Sequence, residues 1–182
     1  MALFSFGISY KTAPVSIREK VAFSTEQIVE SVFELKDQQA VEGSVVVSTC
    51  NRTEVYLNAP QYSKQSAADW LAATHGLDAE SLVEHLYFYH DDAAITHLMR
   101  VACGLDSMVL GEPQILGQLK QSYAIAEQHN FVGGVLSRLF QSAFSIAKDV
   151  RTNTEIGEAA VSVAFAAVSL SKHIFDDLSK VN

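Results

Sequence analysis

Two apolar runs, Val45-Val46-Val47 and Val55-Tyr56-Leu57, stand close together, joined by the polar stretch Ser48-Thr49-Cys50-Asn51-Arg52-Thr53-Glu54. Runs of β-branched and aromatic residues this short read as strands, and a link this short pairs them antiparallel. The pattern predicts strands over 45–49 and 53–58 with a connection at 50–52. It also places Cys50 where a buried strand ends and the chain turns. Strand ends present side chains over a fixed backbone. Ser48, Thr49, Asn51, Arg52 and Thr53 surround the thiol in sequence. A fixed cation such as Arg52 favours the thiolate, which is the nucleophilic form. The competing reading is a small buried hydrophobe, the usual state of a free cysteine.

The rest of the chain supplies partners for this pair. Phe4, Phe6, Ile8 and Tyr10 alternate with small residues, the period of a half-buried strand. Ser24 with Gln27 forms a capping box, Phe23 can staple onto Ile28, and Ile28, Val32 and Leu35 continue a helical stripe. A helix over 66–75 ends at Gly76, Leu86 to Tyr89 reads as a strand, and Asp91 and Asp92 cap a helix to about Ala102. This order predicts an α+β subdomain over 1–103, a small antiparallel sheet with helices on one face in a ferredoxin-like arrangement. No strand pattern follows Gly104. Pro113 opens a helix, Gly133-Gly134 interrupts it, and Leu136, Phe140, Ala143 and Ala147 mark the next, so 104–156 is a helical part of the same domain. A stripe from Val161 to Leu178 predicts that 157–182 begins a long connecting helix. It has no glycine or proline stop, so the chain is expected to continue beyond Asn182.

A chain of 182 residues that is 48% hydrophobic can bury a sizeable core as one large domain or two small ones. A net charge of -8 does not point to general nucleic-acid binding. Two cysteines make no disulfide framework, the N-terminus has no basic leader, and the longest apolar stretch, 159–170, is too short to span a bilayer. These features predict a cytoplasmic protein without a membrane anchor.

Several further side chains are candidates. His97 shares a helix with Ile95, Leu98, Met99 and Ala102 and is expected to point away from that stripe. It is then either a solvated histidine or a general acid–base facing Cys50. His85, His90, His97 and Cys103 lack the spacing of a metal motif. The segment from Gly104 to Gln114 mixes glycines and polar residues and leads into a helix. It is either a connector or a site where free N–H groups meet an anion. Arg138, Lys148 and Arg151 form a local basic stripe, either a solvated face or a contact for a phosphate backbone. No phosphate-loop or dinucleotide fingerprint occurs.

Three stretches together carry a resemblance: Gly7-Ile8-Ser9-Tyr10-Lys11-Thr12-Ala13-Pro14-Val15, the segment from Ser48 to Glu54, and Leu110-Gly111-Glu112-Pro113-Gln114-Ile115-Leu116-Gly117-Gln118 within the loop beginning at Gly104. They resemble the N-terminal catalytic portion of the glutamyl-tRNA reductase family, and the likeness runs along essentially the whole chain. The resemblance implies that the Cys50 thiolate attacks the ester joining glutamate to its tRNA, forming a thioester. NADPH then reduces the thioester to glutamate-1-semialdehyde, the first step of tetrapyrrole (porphyrin) synthesis from glutamate. It implies that His97 assists near the thiol and that Thr49, Asn51, Arg52, Ser107, Glu112, Pro113, Gln114 and Gln118 hold the glutamyl group. Arg52 would pair with its carboxylate in a bidentate fashion, and Cys103 matches no motif position. It further implies that the NADPH-binding and dimerisation domains lie beyond Asn182, that glutamyl-tRNA is the partner, and that a glutamate-1-semialdehyde aminotransferase is a further one. On this view the 182 residues alone form and slowly hydrolyse the thioester, as an esterase. A non-catalytic module docking tRNA or protein, or a Cys-His hydrolase, are the alternatives.

Overall fold

The computed structural model describes residues 2–38 and 41–156. The predicted helix over 157–182 lies outside them. In chain order the elements are β1 (Ala2–Ser9), α1 (Val15–Arg18), a 3-10 turn (Glu19–Val21), α2 (Thr25–Gln38), β2 (Gly43–Ser48), β3 (Arg52–Ala59), α3 (Lys64–His75), α4 (Ala79–Val83), β4 (Tyr87–His90), α5 (Asp92–Ala102), α6 (Gln114–Gln128) and α7 (Gly133–Asn153). The sheet runs β2-β3-β1-β4 and every neighbouring pair is antiparallel. This is the predicted ferredoxin-like arrangement of an α+β domain.

Local chemistry accounts for the element ends. The Ser24 N–H donates to Gln27 Oε1 at 2.9 Å and the Gln27 N–H to Ser24 Oγ at 3.3 Å, the reciprocal capping box expected at the start of α2. Helix α3 begins two residues before its predicted start because Ser63 is the cap, accepting from the Ser66 N–H at 3.0 Å. It ends at Gly76, whose φ of 62° is left-handed. Asp78 caps α4 in the same way, at 3.0 Å from the Ser81 N–H.

The register divides the sheet into two faces of opposite character. Phe4, Phe6, Ile8, Val46, Val55 and Leu57 share one face. Helices α2 and α3 lie over it, with Phe6 5.6 Å from the Tyr62 ring and 6.0 Å from Trp70. Burying each large apolar side chain there contributes about 1.5–3 kcal/mol. Ser5, Ser9, Arg52, Glu54, Tyr56 and Asn58 share the other face, and all of them are buried. That face is covered by the helical segment after Gly104 together with α5. Tyr56 meets Phe140 of α7 at 5.5 Å and His97 of α5 at 6.4 Å. The alternation read as a half-buried strand is thus a strand buried on both sides, and its polar residues sit in the interior. At the margin of the sheet, the Ser44 N–H of β2 donates to the Phe131 carbonyl at 2.8 Å, in the turn before α7.

Candidate active site

Cys50 is exposed at the tip of the link between β2 and β3, while Cys103 is buried at the end of α5. The turn beneath Cys50 is pinned by its own polar groups. The Thr49 N–H donates to the Arg52 carbonyl at 2.8 Å. Thr49 Oγ1 accepts from the N–H groups of both Asn51 and Arg52 at 3.2 Å. The Tyr10 N–H takes the Asn51 carbonyl at 2.9 Å. Arg18, at the end of α1, donates from Nη1 to the Cys50 carbonyl at 2.7 Å and to Asn51 Oδ1 at 3.3 Å. The sulfur is therefore carried on a rigid loop and reaches solvent.

Thr49, Cys50, Asn51, Arg52, Ser107, Glu112, Gln114 and Gln118 line one small pocket of about 30 Å³, together with Ile115. Every residue expected to hold the glutamyl group is there except Pro113, which stands exposed immediately before α6. Residues from β3, from the loop after Gly104 and from the first turns of α6 thus converge on the thiol. Arg151 of α7 fixes that loop by donating from Nη2 to the Glu112 carbonyl at 2.7 Å, so this member of the basic stripe is engaged internally. Arg138 and Lys148 are exposed.

Two expectations change. Arg52 is only 2% exposed and its guanidinium is already committed. Nη1 donates to Glu54, and Nη2 donates to the carbonyl and carboxylate of Asp106. The fork expected to clasp a substrate carboxylate holds two carboxylates of the protein itself. Lys11 completes the chain by pairing with Asp106.

His97 is the second correction. It is buried, not solvated, because α5 buries Ala94, His97, Leu98, Val101 and Ala102, whereas Ile95 is exposed. The buried stripe is rotated from the one read through Ile95 and Met99. His97 turns inward because Glu54 awaits it: Nε2 lies 3.0 Å from Glu54 Oε1. Among the described residues no hydrogen bond joins His97 to Cys50. The imidazole instead lines a separate cavity of about 580 Å³ with Lys11, Tyr87, Tyr89 and Asp106.

Glu54 is the centre that sequence reasoning missed. It is fully buried and accepts from Arg52, His97, the Tyr87 hydroxyl at 2.6 Å and the Tyr56 hydroxyl at 2.6 Å. Burial alone would raise its pKa, but Arg52, then His97 and Tyr56, outweigh burial and hold the carboxyl well below the usual range. With Glu54 ionised, Nε2 of His97 carries the hydrogen it donates. Burial and the Glu54 charge push both tyrosines well above their ordinary range, so they remain donors. Asp106 is likewise lowered: burial opposes this, but Lys11 and Arg52 prevail. The available signal was the strand pattern Arg52-Thr53-Glu54-Val55-Tyr56, which puts three polar groups on one face that a second layer must bury.

No described helix is long and apolar enough to cross a membrane. Among the described residues no three His, Cys, Asp or Glu side chains gather as a metal site. The described sheet is wholly antiparallel, so it lacks the parallel-strand crevice in which dinucleotides bind.

Comparison with known proteins agrees with the motifs. The family described as "Glutamyl-tRNAGlu reductase, N-terminal domain" matches residues 6–154. A protein of Pseudoalteromonas translucida named glutamyl-tRNA reductase is 56% identical over 182 residues, which is 100% of this chain and 44% of that protein. One of the same name from Marinobacter nauticus is 53% identical over 180 residues, covering 99% of this chain and 42% of that one. The solved structure of glutamyl-tRNA reductase from Methanopyrus kandleri superposes with a TM-score of 0.74 at 33% identity, over 94% of this chain and 39% of that one. The chain therefore spans about two fifths of the length of these relatives.

Proposed function

This chain belongs to the family of the glutamyl-tRNA reductase N-terminal domain, and on that premise we propose that it is an acyl-transfer module whose nucleophile is Cys50. The observation that carries the reading is the exposed sulfur at the wall of a pocket built from three separate segments. Ser107, Glu112, Gln114 and Gln118 converge there on Cys50 although more than fifty residues of chain separate them from it.

The substrate is the aminoacyl ester of glutamyl-tRNA. The Cys50 thiolate attacks the ester carbonyl, a carbon–sulfur bond forms, and the bond from that carbon to the ribose oxygen breaks. The proton lost by the thiol balances the one gained by the leaving hydroxyl. Thr49, Asn51, Ser107, Gln114 and Gln118 offer the hydroxyls and carboxamides that orient the glutamyl group, with Glu112 available to its ammonium. Arg52 contributes a positive wall to this pocket, held in place by Glu54 and Asp106 rather than free to close on the substrate. His97 acts as a positioning residue through Glu54. At about 30 Å³ the pocket accommodates one or two waters, so the loop after Gly104 or the Gln114 and Gln118 side chains must shift to admit an amino acid.

Reduction of the thioester by NADPH to glutamate-1-semialdehyde requires a dinucleotide site, and the described residues do not fit one. Water is then the acceptor available at the described residues: it releases glutamate and restores the thiol. Transfer of radiolabelled glutamate from charged tRNA to protein tests the reading. Label on the wild type and on Cys103→Ser, with none on Cys50→Ser, is the expected result. Equal loss in both variants would remove Cys50 from its role.

A further inference from the structure

The Cys50 turn has a second side. Thr49, Cys50 and Asn51 also wall an outer cavity of about 400 Å³, whose other sides include Val15, Arg18 and Met108. The inner pocket and the outer cavity thus share the three residues of the turn and meet at Cys50.

An ester attacked at this point extends in two directions. Its acyl part belongs in the inner pocket, where the carboxamides and hydroxyls are. Its alcohol part must lie on the opposite side of the thiol. We propose that the outer cavity receives the 3'-terminal nucleotide of the acyl donor, with Arg18 facing its phosphate and Val15 and Met108 lying against its base. This rests on the acyl-transfer reading above and extends it to the leaving group.

Three observations support the assignment. The volume falls within the range of small-molecule sites, whereas the inner pocket is far below it. Val15 and Met108 are 53% and 61% exposed, apolar surface of the kind a base covers on stacking. Arg18 is pre-positioned: Nη1 is tied to the Cys50 carbonyl and Asn51 Oδ1, which leaves Nη2 for a ligand. A guanidinium held in this way presents its Nη2 with little further ordering cost. Glu19 on the same rim is exposed and offsets part of that charge, so the Arg18 contact is the local, salt-sensitive one.

The experiment compares two acyl donors on the same protein, charged tRNA and the ethyl thioester of glutamate at its α-carboxyl, reading the Cys50 adduct by mass spectrometry. The second donor has no nucleotide. Arg18→Ala and, independently, Val15→Asp are expected to lower the ratio of the tRNA rate to the small-thioester rate by about tenfold. Raising the salt should lower the wild-type ratio more than that of Arg18→Ala. A ratio equal to wild type in both variants, whether both donors slow together or neither does, overturns the proposal; Arg18 would then only brace the turn. Wild-type protein that takes an acyl group from neither donor would instead overturn the acyl-transfer reading, and this inference with it.

Discussion

The Tyr87 hydroxyl donates to Glu54 Oε1 at 2.6 Å across the sheet, from β4 to β3, passing over the intervening strand at Gly7. Gly7 pairs with Glu54 on one side and with Tyr87 on the other. A Cβ there would strike the Thr53 carbonyl oxygen and come within 2.9 Å of the Tyr87 hydroxyl. Gly7→Ala is therefore expected to cost about 1–3 kcal/mol in urea unfolding by overpacking. Tyr87→Phe, which leaves the carboxylate one donor short, should cost about as much. A Gly7→Ala protein as stable as wild type would show that the strands can spread at no cost.

Glu54 is expected to be the most sensitive position of the interior. Glu54→Ala leaves Arg52 buried opposite an empty space, and breaking such a pair costs about 3–5 kcal/mol. The pH dependence has a definite sign. A carboxyl held below its unfolded pKa of about 4 contributes stability above that pH and loses it as pH falls towards the folded value. Glu54 and Asp106 both lie on this side. Unfolding free energy should drop steeply below about pH 4, and less steeply in Glu54→Gln. A slope unchanged by that substitution would assign the acid sensitivity elsewhere.

The two thiols should separate under alkylation. Cys50 is exposed, and Cys103 is buried with its thiol pushed up by burial. Iodoacetamide on folded protein is expected to give one adduct, at Cys50, and a second only in denaturant. Peptide mapping settles the order; early modification of Cys103 would mean that the end of α5 opens readily.

With charged tRNA and NADPH, the 182-residue chain should release glutamate and no semialdehyde, since the described residues offer water as acceptor and no dinucleotide site. Cys103→Ser should keep this activity and Cys50→Ser should lose it. An aldehyde-trapping reagent makes the distinction. Semialdehyde from the chain alone would overturn the division between acyl transfer here and hydride transfer elsewhere.

The strands, the antiparallel pairing of β2 with β3 and the place of Cys50 were legible because they rest on local periodicity and a short link. The pocket was legible only through its motifs: Ser107, Gln114 and Gln118 meet Cys50 by tertiary packing, for which no local pattern exists. His97 was misplaced for a physical reason. Ile95 looks like a core residue and is exposed, so the stripe drawn through it turned the histidine outward. The fate of Arg52 was hidden for another. Its partner Asp106 is 54 positions away, and nothing near Arg52 announces that its fork is taken.

The turn at Phe131 lies along β2 and takes up the Ser44 N–H. At Ser44 this flank of the sheet is covered against strand exchange or fibril-like stacking, the hazard that unpaired backbone creates. The opposite flank is the four-residue β4, which Asp91 ties back to the N–H and carbonyl of Leu3. A second copy would have to displace the Phe131 turn before it could pair backbone to backbone at Ser44, so self-association at that point is more readily written in side chains, where a single surface substitution can reverse it.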